Sequence, residues 1–264
     1  MLGTNEVGSR VATHLFGLNG TIEVGKHPVG SLFGLKVNID DVFGTVVAAI
    51  VVLVIFALGA RAAKKSNGGV PSKLQLAFEV LIEQITELAE SALGNQYKRF
   101  MGLAMTIFSF ILISNWLGSL PAIMIRWHGS KYELMPPPTS DVNLPLAMAA
   151  IVIGWVTFES IRAKGIGGYV GHFAQPFKAL FPINLIEEVI KPVTMTFRLF
   201  GNMFSGVLMV TVMTSLLPVF ALPVGELIWK PFDMFIGVIQ AFIFMLLTIL
   251  YMGMALSHGH GDEH

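Results

Sequence analysis

Pro182–Leu217 reads PINLIEEVIKPVTMTFRLFGNMFSGVLMVTVMTSLL, and Val224–Leu256 reads VGELIWKPFDMFIGVIQAFIFMLLTILYMGMAL. These apolar patterns run 36 and 33 residues. As helices they are about 54 Å and 50 Å long at about 1.5 Å per residue, against a hydrocarbon core of about 30 Å. Helices of this length must tilt steeply or break, and Pro192 is placed to bend the first. A short turn at Pro218–Pro223 joins them into a hairpin lying obliquely in a membrane. Arg198 falls within two residues of the midpoint of the first pattern and Gln240 at the midpoint of the second.

The rest of the chain agrees with a membrane setting. Of 264 residues, 54% are hydrophobic and 13% charged, whereas soluble domains carry about 25% charged residues. That argues against a soluble enzyme, and the apolar share argues against disorder. Three further runs lack charge, namely Val42–Ala60, Phe100–Ile125 and Val142–Phe158. Their lengths and lack of alternation favour spanning helices over barrel strands. The fold expected is an all-α integral membrane protein with five transmembrane helices, at about 42–60, 100–125, 142–161, 182–217 and 224–256. Residues 1–41 form an outer N-terminal segment and 258–264 a cytoplasmic tail. Arg61, Lys64, Lys65, Lys98, Arg99, Arg162 and Lys164 fall on one side of these spans. By the positive-inside rule the N-terminus lies outside and the C-terminus inside.

Residues 72–93 form a different segment. Ser72 and Gln75 have capping-box spacing, and Gly94 is a C-terminal stop. Glu79, Glu83, Glu87 and Glu90 share one stripe, so this is an amphipathic helix on the inner surface. Its acidic face is either solvated or set against a basic partner helix. Tyr132–Asn143 reads as an outer loop stiffened by Pro136, Pro137 and Pro138.

Net charge is zero and cysteine is absent, which leaves no basic footprint for nucleic acid and no thiolate chemistry. All seven histidines lie outside the charge-free runs, against axial haem ligation. Gly165–Gly168 lacks the Lys-Ser/Thr that completes a phosphate loop. No cofactor and no metal site is expected.

Polar groups at membrane depth are costly and mark ion paths. Asn202 is one turn from Arg198 on the same face, and Asp233 is two turns from Gln240 toward the outside. Glu187 and Glu188 lie toward the inside. The acids therefore sit on opposite sides of a fixed positive charge that repels a passing cation and attracts a mobile carboxylate. Those parts suit two offset half-channels meeting at a moving acidic partner. The outer path is expected to use Asp233, Gln240 and Asn202, extended by Asn115, Asp141 and Asn143. The inner path is expected to use Glu187, Glu188 and Lys191. Each has a plainer alternative. Arg198 can pair with Asp233 and lock the hairpin, Lys191 can pair with either glutamate, and Gln240 can bond helix to helix. Asn115, Asp141 and Asn143 can serve as caps or turn ligands.

Arg198-Leu-Phe-Gly-Asn202-Met, preceded by Lys191-Pro192-Val193, resembles the signature of the F-type ATP synthase subunit a family of bacteria. The likeness continues in Gln240-Ala-Phe-Ile-Phe-Met-Leu-Leu-Thr-Ile-Leu-Tyr251, Pro138-Thr-Ser-Asp-Val-Asn143, Lys164-Gly-Ile-Gly-Gly168 and Asn115-Trp-Leu-Gly-Ser-Leu-Pro121. The resemblance implies the proton-conducting stator subunit of a rotary motor in the bacterial plasma membrane. Arg198 would face the ring of c subunits and separate the half-channels, and peripheral-stalk b-type subunits would be further partners. The chain itself would bind no nucleotide and hold no catalytic site. Many family members carry an ionisable pair at the positions of Val207 and Asp233. Here the first is apolar, so Asp233 alone is expected to serve as the outer relay. Proton is expected over sodium, since no extra oxygen ligands gather at mid-depth. The rival readings are a stand-alone secondary cation transporter and a non-transporting assembly subunit of a respiratory complex.

Overall fold

In a computed structural model the charge-free runs fold as helices. Residues 29–32, 35–65, 73–119, 124–127, 130–133, 139, 141–173, 177–218 and 220–257 are described. Most of the outer N-terminal segment, Ser72 of the capping box and the 258–264 tail lie outside the described residues. A short hairpin, β1 (Val29–Leu32) with β2 (Leu35–Asn38), leads into α1 (Ile39–Lys65). Then come α2 (Lys73–Leu93), α3 (Tyr97–Gly118), a second hairpin of β3 (Met124–Trp127) and β4 (Ser130–Glu133), α4 (Asn143–His172), α5 (Phe181–Leu216) and α6 (Leu222–Ser257). Five helical stretches are long and apolar enough to cross a membrane. The protein is therefore a multi-pass, essentially all-helical membrane protein.

Several boundaries differ from those read off the charge pattern, and α1 extends past both ends of its expected 42–60. The run 100–125 is helical only to Gly118, and its last two residues, Met124 and Ile125, belong to β3. Ser130–Glu133, whose last two residues fall in the segment read as a loop, pairs with β3. Absence of charge does not distinguish helix from strand, whereas Gly118 and Pro121 in the sequence both disfavour a continuing helix. α4 also runs past its expected end to His172, with an internal break at Gly165. Gly165 has φ +72°, a conformation open to glycine and strained for other residues. Gly94 takes φ +54° and ends α2 in the same way.

α3 packs most extensively against α6, and the two share the core with α4, α5 and α2. Phe108 and Ile111 of α3, Val152 of α4, Met195 and Leu199 of α5, and Phe244, Met245 and Ile249 of α6 are buried together. α2 docks on this core by Ile85, Ala89 and Leu93, spaced one helical turn apart, while Glu79, Glu83, Glu87 and Glu90 stay exposed. Docking is close because α6 offers Gly253. A Cβ at that position would stand 2.6 Å from the Ala92 carbonyl oxygen. Small residues at helix contacts of this kind are how helices approach one another in a membrane.

Candidate functional site

α5 and α6 have 36 residues each, so each is about 54 Å long. Arg198 is the eighteenth residue of α5 and Gln240 the nineteenth of α6. α5 is the least enclosed span, with 11% of its most apolar window buried against 39% for α6. Leu199, Met195, Thr196 and Met203 face inward, and Arg198 and Phe197 lie on the exposed side. Among the described residues Arg198 has no ion-pair partner. The internal lock with Asp233 is thus absent.

Two amides lie in the middle of the same helices. Gln240 is 94% buried by its residual exposure of 6%. Its Nε2 and the Nδ2 of Asn202, one turn along α5 from Arg198, are both shut off from the surface without a hydrogen-bond partner. The helix-to-helix bond open to Gln240 is therefore not made through its amide nitrogen. An unpaired buried donor costs about 1–3 kcal/mol, so these two amide nitrogens, one of them on the residue a turn from Arg198, are not stabilised by the helix packing. Ser114 of α3, fully buried, adds a third unpartnered polar atom, its Oγ.

Toward the end where α3 finishes, four hydrogen bonds stitch its last turn to α6. Asn115 Nδ2 donates to the Gly237 carbonyl at 3.2 Å, and Trp116 Nε1 donates to the Met234 carbonyl at 3.4 Å. Lys230 Nζ donates to the Ser119 carbonyl at 3.3 Å, and the Ser119 hydroxyl donates to Asp233 Oδ2 at 2.9 Å. Asp233 Oδ1 lies on the other side against α5, where a Cβ on Gly206 would approach it to 3.1 Å. Gly206 is eight residues from Arg198 along α5, about 12 Å.

The remaining residues at this end divide. Thr139, fully buried, donates to Asn115 Oδ1 at 3.3 Å. Asp141 accepts from the Asn143 backbone at 3.0 Å and from its amide, forming an Asx turn at the start of α4. Asn38 Nδ2 reaches Asp141 Oδ2 at 2.6 Å and Asp41 Oδ2 at 3.0 Å, tying the start of α1 to the start of α4. Burial works against the charged form of Asp141, but hydrogen bonds from Asn143, Asp41 and Asn38 outweigh it and hold the carboxyl below the ordinary aspartate value. Asp141 and Asn143 thus act here as turn ligands, and neither bonds to Asp233.

At the opposite end a cavity of about 430 Å³ opens between α4, α5 and α6. Its polar lining includes Ser160, Lys164, Asn184, Glu187, Glu188 and Lys191. Lys191 pairs with Glu188 at 2.8 Å and sits 5.4 Å from the centre of the Tyr251 ring. Glu187 is exposed and makes no ion pair among the described residues. Beside the cavity, Arg99 of α3 bonds Glu159 of α4 at 2.6 Å, with the glutamate side chain 2% exposed. Among the described residues no group of three metal-ligating side chains comes together.

The ATP synthase A chain family model matches residues 42–253. This chain belongs to that family. It is similar to ATP synthase subunit a of Acidothermus cellulolyticus, 39% identical across 92% of this chain and 87% of the relative. The subunit a of Mycobacterium marinum is 43% identical, across 89% of this chain and 94% of the relative. ATP synthase subunit a 1 of Photobacterium profundum is 34% identical across 86% and 88%. Membership makes the chain a membrane subunit of the ATP synthase complex.

Reading along the sequence missed Ser119, Thr139, Ser114, Gly206 and the Arg99–Glu159 pair. Ser119 and Thr139 stand inside two of the quoted motifs, but a lone hydroxyl carries no signal without its partner. The ion pair had one, since Arg99 and Glu159 each border a charge-free run on the same side.

Proposed function

We propose that this chain is the proton-conducting stator subunit of a rotary ATP synthase, multi-pass in a bacterial plasma membrane with its N-terminus outside. The observation that carries this reading is Arg198. It is exposed, central on the least enclosed span and without an ion pair among the described residues, with polar groups leading away from it toward both ends. A cation left open on a membrane-facing surface calls for an acidic partner at that depth, and the carboxylates of a c-subunit ring supply one. Peripheral-stalk b-type subunits would hold the chain still while the ring turns.

The residues divide the work as follows. Protons enter from outside by the end holding Asp141, Asn143 and Asn115, and load Asp233. From Asp233 they pass along the Asn202 and Gln240 level to a ring carboxylate. Protonated and neutral, that carboxyl leaves the stator and travels through lipid. On its return Arg198 favours the charged form. Two unit charges about 4 Å apart at an effective dielectric of about 20 attract by about 4 kcal/mol. The proton is released into the cavity with Glu187, Glu188 and Lys191 and leaves to the inside. The same guanidinium repels a proton crossing directly between the two paths. The unpartnered amides of Asn202 and Gln240, shut off from the surface, would hydrogen-bond water entering between α5 and α6 on this path.

The test is proton-driven ATP synthesis by the holoenzyme in proteoliposomes. Arg198→Ala is expected to abolish it, and Asp233→Asn to reduce it at least about tenfold. Undiminished synthesis with Arg198→Ala would overturn the stator reading, and undiminished synthesis with Asp233→Asn would remove Asp233 as the outer relay.

A further inference from the structure

We infer that Ser119 is the hydroxyl relay that hands protons to Asp233, a role that rests on Asp233 being the outer acid. Three features of its setting point there. First, its Oγ lies 2.9 Å from Asp233 Oδ2, the carboxylate oxygen farther from Gly206 of α5. Second, the same hydroxyl has another acceptor, the Asn115 carbonyl at 3.3 Å. A serine hydroxyl carries one hydrogen and two lone pairs. It therefore donates to Asp233 while that residue is a carboxylate. When Asp233 is protonated the hydroxyl turns to Asn115 and accepts from the acid. Both protonation states of Asp233 keep a partner without movement of the backbone.

Third, the backbone around Ser119 is fixed independently of its side chain. Its carbonyl accepts from Lys230, three residues before Asp233 on α6, and Asn115 and Trp116 hold the preceding turn to Gly237 and Met234. Lys230 is spent on that carbonyl and makes no ion pair with Asp233 among the described residues. The hydroxyl is thus not needed to fasten α3 to α6. Ser119 is half-buried at the end of α3, between the outer surface and an acid whose other oxygen lies against Gly206.

The transfer balances in one step. A hydronium on the outer side gives a proton to Ser119 Oγ and is left as water. As that O–H bond forms, the original hydroxyl hydrogen moves along the 2.9 Å bond to Asp233 Oδ2. The serine ends as a neutral hydroxyl and Asp233 as a neutral acid. After Asp233 passes its proton on, the hydroxyl swings back from Asn115 to the carboxylate.

The experiment separates the hydroxyl from its bulk. Ser119→Thr and Ser119→Val add side chains of nearly equal shape and differ in the presence of the hydroxyl. Holoenzymes carrying each, with Ser119→Ala and Asp233→Asn, are reconstituted into proteoliposomes. Proton-driven ATP synthesis is normalised to ATP hydrolysis by the same detergent-solubilised complexes. Threonine is expected to keep most of the wild-type rate, while valine and alanine lose at least about threefold, a bridging water recovering part of the transfer. Wild-type rates for alanine and valine overturn the proposal, with Asp233 still supported if its asparagine variant is slow. Equal losses for threonine and valine also overturn it, since they report crowding. A wild-type rate for Asp233→Asn overturns the outer-acid reading and the relay with it.

Discussion

Removing Arg99 should cost more than removing its partner as well. Glu159 is 2% exposed and Arg99 is 48% exposed, at 2.6 Å. Arg99→Ala therefore leaves a carboxylate enclosed between α3 and α4 with its counter-ion gone. Breaking a fully buried pair in this way costs about 3–5 kcal/mol. Here the open side of Arg99 admits water, so the interaction is screened. An effective dielectric of about 20 gives roughly 4 kcal/mol for charges about 4 Å apart, and halving this for the exposed partner leaves about 2 kcal/mol. In Arg99→Ala/Glu159→Gln the buried charge is absent, and most of that loss should return. The assay is thermal unfolding of the purified complex in detergent, followed by the temperature at which this subunit dissociates. The single variant is expected to dissociate at a clearly lower temperature than wild type, with the double variant in between. A single variant as stable as wild type, or a double variant no better than the single, would refute the argument that the enclosed carboxylate sets the cost.

Gly253→Ala places a methyl group 2.6 Å from the Ala92 carbonyl, which is backbone and cannot rotate aside. α2 must shift from α6, at a cost of about 1–3 kcal/mol, and amide hydrogen exchange within α2 should accelerate. At the start of α4, Asp141 has its carboxyl held low by its hydrogen bonds. A depressed acid contributes stability above its unfolded value and loses it as pH falls through the folded value. Detergent-solubilised complex should therefore lose stability on acidification below about pH 4, and Asp141→Asn should flatten that loss.

The long-range geometry and the local signals were legible to different degrees. Arg198 and Gln240 are central because each stands midway in its own apolar run, and run length is a local property. The choice of Lys191 between Glu187 and Glu188 was open in the sequence, because both spacings fit one helical face. The fold selects Glu188, with Tyr251 of α6 beneath the ammonium. Ser119 and Asp233 are 114 residues apart, and only the packing of α3 on α6 brings them together. The hairpin at 124–133 was hidden because its two four-residue strands are too short to show alternation, and the first two residues of β3, Met124 and Ile125, extend the charge-free run of the helix before it. The absence of an Arg198–Asp233 pair also depends on tertiary structure, since the acid turns toward α3 and the cation toward open surface.

That open surface has a consequence for how the protein is made. A guanidinium facing lipid near mid-bilayer costs about 2.5–3.5 kcal/mol on translocon-insertion scales, and nothing among the described residues neutralises Arg198. The lone subunit is thus an energetically incomplete intermediate, while its apolar flanks are content in lipid. In the proposed stator, docking of an acidic neighbour against α5 would recover that energy, so the same charge would serve both transport and assembly. A chain that never met such a neighbour would keep an unneutralised cation on the least enclosed of its spans.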